Sequence, residues 1–211
     1  MLLKYYKRSG EVFNYILSLP DKEDTKGLPL IVFLHGAGER GNDLEQITKH
    51  GIPRHYDRLQ NLPVITLSPQ CETNKVWVTQ IYELKTLIDS VAEKFCVDKS
   101  RIALTGMSMG GFGAWELAMD FPEYFSCLVP LCGGGSAWRA ETLKNIPVRA
   151  YHGEKDEVVN CFYSQDMVKA VNAAGGDAVL TLYPDLKHDC WTRTYADTDV
   201  IDWMMKQKRK G

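Results

Sequence analysis

Arg101-Ile102-Ala103-Leu104-Thr105-Gly106-Met107-Ser108-Met109-Gly110-Gly111-Phe112-Gly113-Ala114-Trp115-Glu116-Leu117-Ala118-Met119 reads as an apolar strand, a tight turn and a helix, with Ser108 at the apex. A serine on so sharp a turn crowds its own backbone, and side chains two residues before and after it would clash. Glycine occupies both places, Gly106 and Gly110. Strand, turn and helix in this order make Ser108 a candidate nucleophile.

Outward from this unit, apolar runs alternate with amphipathic segments. Residues 12–19 alternate as a strand with one exposed face, and residues 30–34 and 64–67 read as buried parallel strands. Residues 80–94 have helical spacing, with Ile81, Leu84, Leu87, Ile88 and Val91 on one face. Strands at 126–131 and 148–151 follow, then a helix over 161–174 closed by Gly175-Gly176, a last strand at 178–182 and a closing helix at 198–206. Strands alternating with helices predict an α/β fold, a mostly parallel sheet covered on both faces, as one domain over residues 1–211. No repeat, low-complexity segment or interdomain linker interrupts it.

A chain of 211 residues can bury a substantial core without disulfides or metals. Net charge is −2, and no basic patch interleaves with aromatics, so nothing points to nucleic acid. Lys206-Gln207-Lys208-Arg209-Lys210 reads as a solvated tail at the negative pole of a C-terminal helix. No run approaches the length of a membrane span, and Met1-Leu2-Leu3-Lys4-Tyr5-Tyr6-Lys7-Arg8 lacks the apolar stretch of an export signal. The expectation is a cytoplasmic protein with no membrane partner. Cys71, Cys96, Cys127, Cys132, Cys161 and Cys190 lack the C-x-x-C spacing of zinc or redox sites and read as buried or loop thiols. Odd spacing on one strand predicts that Cys127 and Cys132 face opposite ways, while Cys71 and Cys190 fall in loops at one edge, where a bridge between them stays open.

In such a sheet the ligand site lies at the carboxyl ends of the strands. Three further loops there carry chemistry: His35-Gly36-Ala37-Gly38-Glu39-Arg40-Gly41, His152-Gly153-Glu154-Lys155-Asp156 and Tyr183-Pro184-Asp185-Leu186-Lys187-His188. With Ser108 they give the order serine, acid, histidine expected around a nucleophile elbow. A serine hydroxyl needs a base to take its proton, and the base needs an acid to fix its tautomer. His188 is the expected base and Asp156 the expected acid, with Glu154 and Glu157 as lesser alternatives. Asp185 and Asp189 neighbour His188 too closely to reach its far nitrogen. His35 and His152 begin glycine turns and read as structural rings bonded to loop backbone. A developing oxyanion needs preorganised donors; the Met109 and Ala37 backbone N–H groups are the expected pair. The 35–38 turn lacks the lysine and hydroxyl of a P-loop.

These segments, with Pro29-Leu30-Ile31-Val32-Phe33-Leu34, Ser68-Pro69-Gln70 and His188-Asp189-Cys190-Trp191, resemble the α/β-hydrolases of the esterase D, feruloyl and acetylxylan esterase and predicted-peptidase group, related to dienelactone hydrolase and the phospholipase/carboxylesterases. The resemblance runs over nearly the whole chain. It implies the α/β-hydrolase fold and a serine ester hydrolase working through an acyl-enzyme on Ser108, with no metal or cofactor. The implied substrate is a small ester of a short acyl or aryl acid, on an alcohol that could be a carbohydrate. Alternatives are a serine peptidase of the same fold, acyl transfer to an alcohol, and a non-catalytic ligand-binding scaffold. The interval from Leu131 to Ile146 is too short for a lid domain, which predicts an open site. Trp77, Trp138 and Trp191 fall in loops at the predicted edge and, with Gln70, are the substrate-lining candidates. Glu39 and Arg40 read as a salt bridge bracing the oxyanion loop.

Overall fold

The computed structural model describes residues 3–6, 12–20, 25–59 and 62–209. Among the described residues eight strands, β1 (Leu3–Tyr6), β2 (Asn14–Ser18), β3 (Leu30–Leu34), β4 (Ile65–Gln70), β5 (Ile102–Met107), β6 (Cys127–Leu131), β7 (Val148–Gly153) and β8 (Ala178–Tyr183), form one sheet in the order β1-β2-β4-β3-β5-β6-β7-β8. The β1–β2 and β2–β4 pairs are antiparallel and the rest are parallel.

Helices cover both faces, which is why the central strands are apolar throughout. On β3, Leu30, Val32 and Leu34 enter one core and Ile31 and Phe33 the other. The first core is closed by α3 (Ile81–Lys94), α4 (Met109–Asp120) and α5 (Phe162–Ala173); the second by α1 (Gly51–Arg54), α2 (Tyr56–Leu59), α6 (Trp191–Asp197) and α7 (Val200–Lys206). Each fully buried Leu, Ile or Phe contributes about 1.5–3 kcal/mol. From β3 the chain passes to β4 on one side, and from β5 it builds β6 to β8 on the other. The loops after β3 and β5 therefore diverge around a cleft, the place where such sheets take ligands. Among the described residues no helix is long and apolar enough to cross a membrane.

Four expectations need correcting. β2 has no exposed face: it lies between β1 and β4, with Tyr15 and Leu17 in one core and Ile16 in the other. α6 occupies a stretch in which no helix was expected. Cys127 and Cys132 share one core, because Cys132 follows the end of β6 with φ 48°, a left-handed turn that breaks the strand alternation. Cys71 and Cys190 lie in the two different cores, with the sheet between them, and both are free thiols.

Candidate active site

Ser108 joins β5 to α4 with φ 53° and ψ −120°, a conformation that costs a non-glycine residue about 1–3 kcal/mol. The fold imposes it. Ser108 N–H donates to Leu131 O (2.9 Å), and Ser108 O accepts from Phe112 N–H (3.1 Å). A Cβ at Gly106 would strike the Gly110 carbonyl, and one at Gly110 would strike the carbonyls of Leu34 and His35.

His188, beyond the end of β8, places Nε2 2.9 Å from Ser108 Oγ and Nδ1 2.7 Å from Asp156 Oδ2. Asp156 is buried after β7. Its Oδ1 accepts from Val158 N–H (2.8 Å) and Val159 N–H (2.9 Å), and its Oδ2 lies 3.2 Å from His152 Nε2. Burial raises the carboxyl pKa, but the hydrogen bonds from His188 and from the N–H groups of Val159 and Val158 outweigh it and hold the group below the ordinary carboxylate range. A carboxylate at Nδ1 fixes the proton there, which leaves the Nε2 lone pair facing the serine hydroxyl. Cys132 Sγ steadies this histidine from behind, 3.0 Å from the His188 carbonyl.

The loop after β3 lies against the serine: a Cβ at Gly36 would stand 3.6 Å from Ser108 Cβ. Ala37 opens a 3₁₀ turn (Ala37–Glu39) and Met109 opens α4, so neither N–H has an acceptor within its own helix. His35 anchors the loop, as read from sequence. Its Nε2 accepts from Cys71 N–H (3.0 Å), Nδ1 lies 2.6 Å from Gly36 O, and its carbonyl accepts from Trp77 Nε1 (2.9 Å). Burial lowers its pKa to about 4, so the ring is neutral.

Gln70 does not line the cleft. It is 1% exposed, and its amide donates to the carbonyls of Glu39 (2.9 Å) and Asp43 (2.8 Å), pinning the loop from below. Arg40 also braces the loop, through the carbonyls of Ala37 (3.0 Å) and Lys75 (3.3 Å) and not through Glu39. The three tryptophans separate. Trp77 is buried and forms part of the wall of the cavity beside Ser108, Trp191 stands edge-on to His188 at 5.1 Å between centroids, and Trp138 is 85% exposed on the 3₁₀ turn Ala137–Leu143, outside the cleft lining. Val76, Val78, Phe112 and Val159, not picked out from sequence, line a cavity of about 340 Å³ beside Ser108. Their only signal was apolar character next to Trp77, the elbow and Asp156. A larger cavity of about 820 Å³ opens at the other end of the sheet, by Ser126, Pro147 and Asp177 before β6, β7 and β8, and holds none of these groups.

Cys132, His152 and Asp156 bring ligand-type atoms within 4.8 Å of one another. Those groups are already engaged: the His152 ring nitrogens bond Ser164 Oγ (2.7 Å) and Val159 O (2.9 Å), and Cys132 Sγ faces Cys190 Sγ at 2.9 Å. The cluster is the hydrogen-bonded frame behind His188.

The Phospholipase/Carboxylesterase family model matches residues 58–200. Over 139 residues, 63% of its length, the chain is 24% identical to a bifunctional acetylxylan esterase/xylanase of Neocallimastix patriciarum, of which it spans 20%. A thermostable esterase superimposes with a TM-score of 0.86 at 31% identity, over 99% of this chain and 63% of that one. An S-formylglutathione hydrolase from Agrobacterium tumefaciens gives a TM-score of 0.74 at 14% identity, over 96% and 93% of the two chains, a likeness of fold. The chain has the α/β-hydrolase fold and belongs to the phospholipase/carboxylesterase family.

Proposed function

We propose that this chain hydrolyses carboxylic esters through an acyl-enzyme on Ser108. The observation that carries the reading is the continuous hydrogen-bonded line from Ser108 Oγ through His188 to Asp156, at 2.9 and 2.7 Å, built on a strained serine. Ser108 Oγ attacks the ester carbon while His188 Nε2 takes its proton. The oxyanion accepts from the N–H groups of Ala37 and Met109, each worth a few kcal/mol of barrier. The intermediate collapses, the C–O bond to the alcohol breaks, and His188 returns the proton to the leaving oxygen. Water then attacks the acyl-enzyme, gives its proton to His188 and releases the carboxylic acid with Ser108 restored. Asp156 stabilises the imidazolium in both halves.

For the alcohol, an acylated carbohydrate is supported by the aromatic ring of Trp191 against His188, the group that returns the proton to the leaving oxygen, and by the name of the Neocallimastix relative. The β6–β7 connection carries only the 3₁₀ turn Ala137–Leu143, which leaves room for a bulky alcohol. The test is kcat/KM on p-nitrophenyl acetate beside a peptidyl p-nitroanilide, with the unmutated protein and Ser108→Ala. Ser108-dependent turnover of the ester alone is expected; efficient Ser108-dependent cleavage of the anilide would move the reading to a peptidase.

A further inference from the structure

We propose that Cys132 and Cys190 are the two halves of a disulfide that closes when the chain folds under oxidising conditions and staples the His188 loop to the end of β6. Their sulfurs stand 2.9 Å apart. The bond itself measures about 2.05 Å, so about 1 Å of movement joins them. The fold aims them at each other from distant places. Cys132 follows β6 with φ 48°, a left-handed backbone uncommon outside glycine, and that turn carries its side chain into the core that holds Cys190. Cys190 sits two residues after His188, at the start of α6. Both side chains are wholly buried. Of the other thiols, Cys71 lies in the opposite core, Cys96 is exposed and Cys161 is half-buried before α5. Cys127 is the remaining thiol of the same core.

In the reduced chain the two thiols form a relay onto the backbone of the histidine. Cys132 S–H donates to His188 O (3.0 Å), which leaves Cys190 S–H to face Cys132 Sγ, and the same carbonyl accepts from Cys190 N–H (2.9 Å). Burial, with the Cys132 sulfur beside it, pushes the Cys190 thiol pKa well up, and a thiol held protonated is a poor nucleophile. The bond is therefore made while the chain folds, before the core shuts, with a small-molecule disulfide such as oxidised glutathione as electron acceptor. One cysteine thiolate attacks a glutathione sulfur and releases one glutathione. The second cysteine thiolate attacks the protein sulfur of that mixed disulfide and releases the other. Two thiol protons and two electrons thus pass from the cysteines to two molecules of glutathione. His188 O keeps its bond from Cys190 N–H, and the bridge joins positions 58 residues apart, across β7, α5 and β8. In the chain-entropy account, closing so long a loop strongly restricts the unfolded chain.

The experiment refolds the reduced, unmutated protein from urea in two glutathione buffers, one with the oxidised form in excess and one with the reduced form. Free thiols are then blocked with iodoacetamide in urea, and the chain is digested without reductant and read by mass spectrometry. The oxidising sample is expected to yield the Cys132 peptide joined to the Cys190 peptide, with Cys71 and Cys127 blocked. Alkylation of both Cys132 and Cys190, or a bridge from either to Cys127, overturns the proposal. The oxidised chain is also expected to melt about 5 °C or more above the reduced one, and the gap is expected to vanish in Cys190→Ala. An equal Tm in the two unmutated samples, or a gap that persists in Cys190→Ala, overturns the staple. The peptide map needs neither a variant nor catalytic turnover, so a misfolded Cys190→Ala or a failed esterase reading leaves it decisive.

Discussion

Asp156 is the most heavily engaged side chain of the site, with His188, His152 and the N–H groups of Val158 and Val159 all within hydrogen-bonding distance of its carboxylate. Asp156→Asn keeps the shape but loses the charge and the command over the His188 tautomer, so kcat is expected to fall by about 10⁴ with KM little changed. Steady-state kinetics on a p-nitrophenyl ester measure it. His35 gives a stability prediction. Its pKa is about 4 in the folded chain against 6.5 ordinarily. Above pH 6.5 the ring is neutral in both states and the folded state has its full stability. Between pH 6.5 and 4 the unfolded chain takes up a proton that the folded chain refuses, so stability falls by about 1.4 kcal/mol per pH unit from this residue. Urea midpoints between pH 7 and 4 are expected to fall less steeply in His35→Gln than in the unmutated protein.

At the scale of elements, the turn from β5 to α4 holds Ser108 by close backbone contact. Gly110→Ala drives a methyl into the Leu34 and His35 carbonyls and is expected to cost more than about 3 kcal/mol, read as a lowered urea midpoint. Gly38→Ala, whose added Cβ meets nothing within 4 Å, is expected to change stability by no more than about 0.5 kcal/mol. This unit was legible in the sequence because its determinants are local: an apolar run, two glycines and a helical pattern within about twenty residues. α6 was not legible, because what fixes its place is distant: the Tyr195 hydroxyl lies 2.6 Å from Thr105 Oγ1 across the core. The shared side of Cys127 and Cys132 depends on a single left-handed φ, which spacing does not encode. Gln70 read as a lining residue because its position pointed to the cleft; its bonds to two carbonyls of a loop about thirty residues away turn it inward.

Across the whole molecule, the cleft exists because β3 and β5 are neighbours while their following loops part. The strand–helix alternation made that arrangement readable, and the carboxyl-edge rule pointed to Ser108, Asp156 and His188, which the fold brings within hydrogen-bonding distance. The lining of the cavity beside Ser108 was not readable, since Val76, Phe112 and Val159 come from three separate segments that only the fold brings together. β3 and β5 are buried throughout, whereas β8 is an edge strand with partly exposed side chains. Amide exchange is expected to be slowest in β3 and β5, near the global unfolding limit, and faster in β8. The most direct test of the acyl-enzyme is reaction with a p-nitrophenyl alkylphosphonate, a stable mimic of the acylated serine. The account predicts release of one p-nitrophenolate per chain, loss of esterase activity in step, and a single phosphonyl adduct on the peptide that contains Ser108. Full ester turnover after treatment, or an adduct on another residue with Ser108 unmodified, would contradict it.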